Sequence, residues 1–384
     1  MQLKISLATA TLLSTLALQA EDYVSFQYLQ YDENKNRTSV SAPSVMINKD
    51  FGVDYTLNAS FVADAVSGAS QTNYYADATS GASAIHSRAK AVNADAVTYD
   101  NVDYDDTRVA FSAALTTRFD NRDELTVGLN RSNESDFYST EASAEYMHYL
   151  DSSKNQSVSL GFSYMANQIL VQCDDTGEGT CDASSGGSEE ETANTLSTQL
   201  SFHQVLNATS YIKPAIFYSK ESGYLSNPYL NVVKHNSAGS TVNVVSENRP
   251  ESKTIYGFSL KYAKAFSDNM SLQTFYRFYT DDWDVNSHTV DTDLYYAPNN
   301  DWLVKIGLRY YTQSEANFYK KGYFNNEEFA SNDLRLSSFN ALTYKTDIEY
   351  KYSQKLAYNL GVNFYDQSTD LSATYLMAGF RYSF

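Results

Sequence analysis

The sequence predicts an all-β chain, an antiparallel transmembrane β-barrel of about 16 strands with short periplasmic turns and long extracellular loops. Three observations carry that expectation. The segment Leu371 to Phe384 alternates Thr374, Leu376, Ala378, Phe380, Tyr382 and Phe384 against Tyr375, Met377, Gly379, Arg381 and Ser383. Successive side chains of a strand point to opposite faces, so one face is apolar and aromatic and the other is mixed polar. The same alternation recurs along the chain in segments separated by turn residues. Finally, Lys4, an apolar run from Ile5 to Leu18 and small residues up to Ala20 form the pattern of a secretory leader. The expected division is therefore a signal peptide over 1–20 and an outer-membrane barrel over 21–384. The leader's apolar run is too short for a transmembrane helix. An exported chain of this kind enters a membrane only as a closed set of strands.

Composition agrees. The chain has 33 tyrosines against 2 tryptophans and 5 prolines. Tyrosine joins an apolar ring to a polar tip, which suits membrane interfaces and polar barrel interiors. The formal charge is −18, and one unit more negative once Lys4 leaves with the leader. Such a chain is not built to grip nucleic acid. Acidic external loops would attract divalent cations, which also bridge lipopolysaccharide; the plainer reading of the acidity is solubility and repulsion of neighbours. The two cysteines, Cys173 and Cys181, lie close together in a polar loop of an exported chain, and a disulfide is expected.

Taken in order, the predicted strands are Tyr23 to Tyr31, Ser39 to Ile47, Phe51 to Ala65, Thr107 to Phe119, Glu124 to Asn130, Phe137 to Leu150, Gln156 to Gln172 and Thr195 to Leu206. They continue as Tyr211 to Ser219, Thr254 to Phe266, Met270 to Thr280, His288 to Ala297, Trp302 to Gln313, Leu336 to Tyr350, Leu356 to Tyr365 and the closing strand. Phe51 to Ala65 is the clearest, with Phe51, Val53, Tyr55, Leu57, Ala59, Phe61 and Ala63 on one parity. Long polar loops are expected over 66–106, 221–251 and 314–332, and an acidic loop from Cys173 to Thr192. Both ends of the mature chain then fall on the short-turn side, expected to be periplasmic.

Parity sends Arg108, Arg118, Arg277, Lys305, Arg309 and Arg381 inward, with Asp54, Asp64, Asp291, Asp293, Asp347 and Glu349. A charge facing lipid is costly, so the lumen is the place for them. Mixed signs on facing walls read first as pairs that neutralise one another. The functional alternative is a constriction that selects by charge. Enzyme signals are poor. The histidines His86, His148, His203, His235 and His288 are scattered, and no nucleophile, base and orienter come together in sequence. No catalytic residue, metal site or cofactor is expected. The exception is a calcium-like spacing of carboxylates from Asp174 to Asp182, which lacks the EF-hand pattern.

The final strand resembles the assembly signal of bacterial outer-membrane barrels, with Gly379, Tyr382 and Phe384 at its spacing. VADAVSGAS (Val62 to Ser70), DDTR (Asp105 to Arg108), GYLSNPY (Gly223 to Tyr229) and RPESKT (Arg249 to Thr254) stand with two longer segments. Those are YRFYTDDWDVNSHT (Tyr276 to Thr289) and LRYYTQSEANFY (Leu308 to Tyr319). Together they resemble the uncharacterised Gram-negative outer-membrane family of domain of unknown function 3570. Members often carry proline after the first SGAS and glycine after DDW, where this chain has Gln71 and Asp284. The resemblance implies a barrel without supplying an activity. The strand directions place all these segments at external strand ends or in external loops. Asp64, Arg277, Asp281, Asp282, His288 and Arg309 are thus expected to meet near the outer mouth, with Arg108 among the lumen and mouth candidates.

The expected function is a porin-like channel or transporter for small solutes, without enzyme activity. The alternative is a plugged barrel that serves as scaffold or receptor for an envelope partner, in secretion or redox work. Expected partners are outer-membrane lipid, lipopolysaccharide and the barrel assembly machinery.

Overall fold

The structure is a computed structural model that describes residues 22–74, 98–172, 188–235, 242–320, 323–324 and 327–384. Sixteen strands close into one antiparallel barrel. They are β1 (Tyr23–Glu33), β2 (Thr38–Phe51), β3 (Tyr55–Tyr74), β4 (Thr98–Arg118), β5 (Glu124–Asn133), β6 (Phe137–Tyr149), β7 (Gln156–Gln172), β8 (Ser188–Asn207) and β9 (Ser210–Gly223). The chain continues with β12 (Ser252–Ser267), β13 (Met270–Asp281), β14 (Asn286–Tyr296), β15 (Trp302–Gln313), β17 (Phe339–Lys351), β18 (Leu356–Gln367) and β19 (Leu371–Ser383). Three short strands, β10 (Asn231–His235), β11 (Val242–Ser246) and β16 (Tyr323–Phe324), form a separate sheet. The barrel closes where β19 pairs with β1, from Tyr23 opposite Ser383 to Glu33 opposite Ala373. Closure satisfies the backbone groups that an open edge would leave bare in lipid.

The outer face shows why these residues form these strands. Val45, Phe61, Phe111, Leu129, Phe162, Leu200, Ile216, Ile306, Leu360 and Leu376 all point outward and are exposed. In water such a surface would be a large unpaid apolar area, and a bilayer removes that cost. Aromatic rings mark the short-turn rim, where Trp302 lies 4.6 Å from Tyr350 and Phe119 lies 6.5 Å from Tyr146. Tyr218 and Tyr256 make a similar pair on the outer face near the other rim, 5.3 Å apart. Aromatic belts of this kind sit at the headgroup level.

Several expectations shift. The clear alternation at Phe51 does not begin a strand: Gly52 adopts a left-handed φ of +66°, and the chain turns through Gly52 to Asp54 before β3 starts at Tyr55. Asp54, expected in the lumen, is therefore an exposed turn residue. The supposed loop between β3 and β4 is in part a continued hairpin, pairing Ala65 with Thr107 through to Tyr74 with Thr98. Small polar residues there sustain a backbone ladder without an apolar face to announce it. Likewise Glu189, Glu190 and Glu191 join β8 and pair with Val171, Leu170 and Ile169. Leu336 ends a short 3-10 turn, and the next strand begins at Phe339. Cys173, Cys181 and the carboxylates from Asp174 to Asp182 lie outside the described residues, as does the leader.

Candidate functional site: the lumen and its long-loop mouth

The lumen wall is charged and mostly self-paired. Arg108 Nε holds both oxygens of Asp64, at 2.9 and 3.1 Å, and the Asp64 side chain is 1% exposed. The two residues face each other across β3 and β4. Arg309 reaches Asp291 at 2.6 Å, and Lys345 bridges Asp291 and Asp293 at 2.5 and 2.6 Å. Lys305 pairs with Asp347 at 2.7 Å, Arg381 with Glu349 at 3.2 Å and Arg118 with Glu124 at 3.4 Å. Strands one or two places apart bring opposite charges together, the pairing that offsets their desolvation.

Nearer the long-loop end the lumen is lined by tyrosines. The Tyr31 ring lies 4.7 Å from that of Tyr375, tilted by 51°, and packs with Val40, Val62, Tyr365 and Ala373. A repeated device holds the phenols. Tyr31 donates to Glu33 at 2.6 Å, Tyr279 to Asp281 at 2.6 Å and Tyr311 to Gln313 at 2.7 Å, and Tyr365 donates to Gln367. Residues two apart on a strand share a face, so each acceptor sits one step outward from its tyrosine. This Tyr-X-acceptor pattern stands in the sequence on four strands running toward the long loops, where hydrophobic alternation does not single it out.

The long loops fold over this end. Trp283, Val285, Ala316 and Phe318 form a buried core with Leu225, Phe329 and Leu336 around it. Trp283 and Phe318 meet edge to face at 5.1 Å, and Trp283 Nε1 donates to the Ser252 carbonyl at 3.0 Å. Asp281 accepts from the backbone N–H groups of Trp283 and Val285, both at 3.0 Å. Asp282 accepts from the Thr254 backbone N–H at 2.9 Å. Asp284, where the family resemblance expects glycine, takes the left-handed φ of +67°.

A buried ion cluster locks the loops to one another. Arg249 lies 2.8 Å from Glu247 and 2.7 Å from Asp333, with side-chain exposures of 11%, 0% and 6%. Arg335 also pairs with Asp333. Burial works to raise the Asp333 pKa, but the Arg335 and Arg249 guanidiniums outweigh it and hold the carboxyl well below its ordinary value. Above them β10, β11 and β16 make the small sheet, its core built from Val232, Phe324 and Ala330. β10 grows from the connection between β9 and β12 yet packs against β3, seven strands around the barrel from β12. The sheet therefore spans the mouth. Two loops expected to be long and polar thus form a cap, which the sequence does not announce because their apolar residues are spread too thinly to show a period.

The mouth candidates do not meet as one group. Arg277 lies over the Phe217 ring at 4.5 Å and Tyr279 at 6.0 Å. Asp281 and Asp282 brace the cap, Arg309 belongs to the charged wall, and Asp64 and Arg108 form their own pair. His288 faces outward, its Nδ1 2.9 Å from the Tyr276 hydroxyl and its ring 5.1 Å from Phe278. Parity explains this, since His288 shares the phase of lipid-facing Val290. Gly379 lies in β19 opposite Gln27, while Tyr382 and Phe384 are exposed on the outer face. His148 bonds the turn carboxylate of Asp123 at 2.8 Å, and His203 packs 5.0 Å from Tyr211. Among the described residues, the carboxylates of Asp106, Glu134 and Asp136 approach within 4.8 Å and could hold a cation.

The fold and its apolar belt define a membrane-spanning β-barrel. The chain belongs to the family of proteins of unknown function DUF3570, whose model matches residues 3–379. No curated protein matches the chain in sequence. The chain is similar to several solved structures. CdiB from Acinetobacter baumannii is 8% identical with a TM-score of 0.53, over 95% of this chain and 60% of that one. The ferric enterobactin receptor of Pseudomonas aeruginosa is 11% identical with a TM-score of 0.44, over 91% of this chain and 54% of that one. The CymD monoaromatic hydrocarbon channel is 11% identical with a TM-score of 0.42, over 99% of this chain and 92% of that one. The chain thus spans about 60% of CdiB and 54% of the receptor.

Proposed function

We propose that this protein is an outer-membrane channel or transporter for small solutes, with its short turns in the periplasm and its outer mouth gated by its own loops. The observation that carries the reading is the contrast along the lumen. Charged pairs in the short-turn half remain partly open, with side-chain exposures of 19% and 26% for Lys305 and Asp347 and 31% and 28% for Arg118 and Glu124. At the other end Trp283, Ala316 and Glu247 are 4%, 0% and 3% exposed. A water-lined vestibule that ends beneath a packed cap is a gate geometry. A barrel of this strand number has room for an aqueous path once its mouth clears. The residues assigned to the path bind, repel or exclude, and none is assigned a catalytic role. The cap also suits a plugged receptor or scaffold, and solute flux separates the two. Proteoliposomes carrying Trp283→Ala should swell faster in a small-solute gradient than those carrying the native chain. Equal and negligible swelling for both, with both barrels folded, would favour the plugged scaffold.

A further inference from the structure

We propose that the lumen wall of β9, β12 and β13 is a binding site for small carboxylate-bearing solutes, centred on Arg277 with Lys261 and Lys213. The inference deepens the transport reading above and rests on it for its physiological meaning.

It starts from a charge inventory of the wall from β9 to β19. Every inward carboxylate there is taken. Asp291 and Asp293 hold Arg309 and Lys345, Asp347 holds Lys305, and Glu349 holds Arg381. Glu221 and Asp281 share Lys253, at 3.9 and 3.6 Å. Apart from Lys351, which is exposed at the short-turn end of β17, three inward cations remain without an ion pair among the described residues: Lys213, Lys261 and Arg277. Lys261 looks toward Asp293, but Lys345 already occupies that carboxylate. Uncompensated positive charge at a half-buried wall is costly, and such a cost persists where a ligand relieves it.

The three are also placed as a set. Lys213 and Lys261 are directly opposed across β9 and β12. Like charges in that position repel, and an anion between them removes the repulsion. Arg277 lies two residues beyond Phe275, which is the partner of Lys261 on β13, so it is the diagonal neighbour of Lys261. Its guanidinium lies between two aromatic rings, Phe217 at 4.5 Å and Tyr279 at 6.0 Å. Phe217, Gly257 and Tyr279 form one row across β9, β12 and β13. A side chain at Gly257 would overlap the Phe217 ring, so the glycine makes the bed in which that ring lies. The guanidinium carbon of Arg277 lies 4.5 Å from the centre of that ring, and among the described residues its N–H donors take no carboxylate. A planar fork with free donors matches a carboxylate in a bidentate grip, and the lysines add nondirectional attraction. All three cations are partly exposed to the lumen, and Tyr279, which lies one step outward, packs under the Trp283 core. A bound solute would therefore sit immediately beneath the cap.

The test is calorimetric titration of succinate into the refolded full chain in detergent at low salt, which reads binding whether or not the barrel conducts. The native protein should bind, and Arg277→Gln should weaken binding about tenfold or more, the loss expected of a charge-assisted hydrogen bond. Lys261→Gln should weaken it as well and serves if Arg277→Gln fails to fold. Asn363→Gln, elsewhere on the lumen wall, should leave it unchanged. Absence of binding to the folded native chain would overturn the proposal, as would equal affinity in native and Lys261→Gln proteins. Flux without succinate binding would sink the site and leave the channel reading standing. Binding without flux would do the reverse.

Discussion

Replacing Arg249 with alanine should open the cap while leaving the barrel intact. The guanidinium is the bridge between Glu247 and Asp333, at 2.8 and 2.7 Å, in a setting where neither carboxylate is more than 6% exposed. Removing one partner from a buried ion cluster leaves uncompensated charge and costs about 3–5 kcal/mol. Here the low end applies. Glu247 keeps the Asn227 backbone N–H at 2.7 Å and the Ser331 hydroxyl, and Asp333 keeps Arg335. A loss of about 3 kcal/mol raises local opening by roughly a hundredfold. Hydrogen exchange read by mass spectrometry should show that acceleration over residues 242–251 and 327–337. Exchange in β15 and β18 should be unchanged, because their ladders are made with other barrel strands. Replacing the pair together, Glu247→Gln with Arg249→Met, should recover part of the loss by removing the stranded charge. Cap peptides of Arg249→Ala that exchange at the native rate would refute the reasoning.

The other predictions concern the outer face, a strained turn and pH. Leu360→Lys, at an outward position 57% exposed in mid-strand, should destabilise the barrel by about 2–4 kcal/mol in urea titrations in lipid vesicles, whereas inward Asn363→Lys should cost far less. Asp284→Gly should stabilise the cap by up to about 1 kcal/mol, seen as slower exchange over 281–286, because φ is +67° there and glycine adopts it without a Cβ clash. Glu134, in the connection after β5, has its pKa pushed up by burial, with Arg108 opposing and Asp106, Asp136 and Asp64 adding to the rise, to about 7 from 4.5. A raised acid binds more protons folded than unfolded, so its contribution is fully present below about 4.5 and is lost as pH rises through 7. Exchange around 133–137, corrected for intrinsic chemistry, should quicken across that window, and Glu134→Gln should flatten the response. Asp333 has the opposite sign: its pKa is depressed, so cap protection is present above its unfolded value of 3.8 and falls away as pH drops below it.

Much of the barrel is legible in the sequence because lipid on one side and water on the other force a period of two. Leu371 to Phe384 and Met270 to Thr280 show it with few interruptions, and both became strands. The inward charges are legible for the same reason. Asp64, Arg108, Asp291 and Arg309 have no affordable place on the lipid face, and they emerged paired. Alternation misled at Phe51 to Asp54, where the left-handed Gly52 sets a turn that hydrophobicity does not report. It was silent for the cap. Trp283, Phe318 and Leu225 come from three separate loops, and their packing is long-range, so no local pattern carries it. His288 shows a different failure: strand direction put it at the mouth with Asp281 and Asp282, but its parity places it outside with Tyr276 and Phe278.

Gating by the cap is the central claim, and single-channel recording tests it most directly. Refolded native protein and Arg249→Ala would be compared in a planar bilayer across a range of salt concentrations. The account predicts that the native chain dwells mainly closed, and that Arg249→Ala shows a higher open fraction with steps that scale with salt. Folded, heat-modifiable barrels that both stay silent would contradict a water path through the lumen. Native and Arg249→Ala channels that are open to the same extent would contradict the cap as its gate.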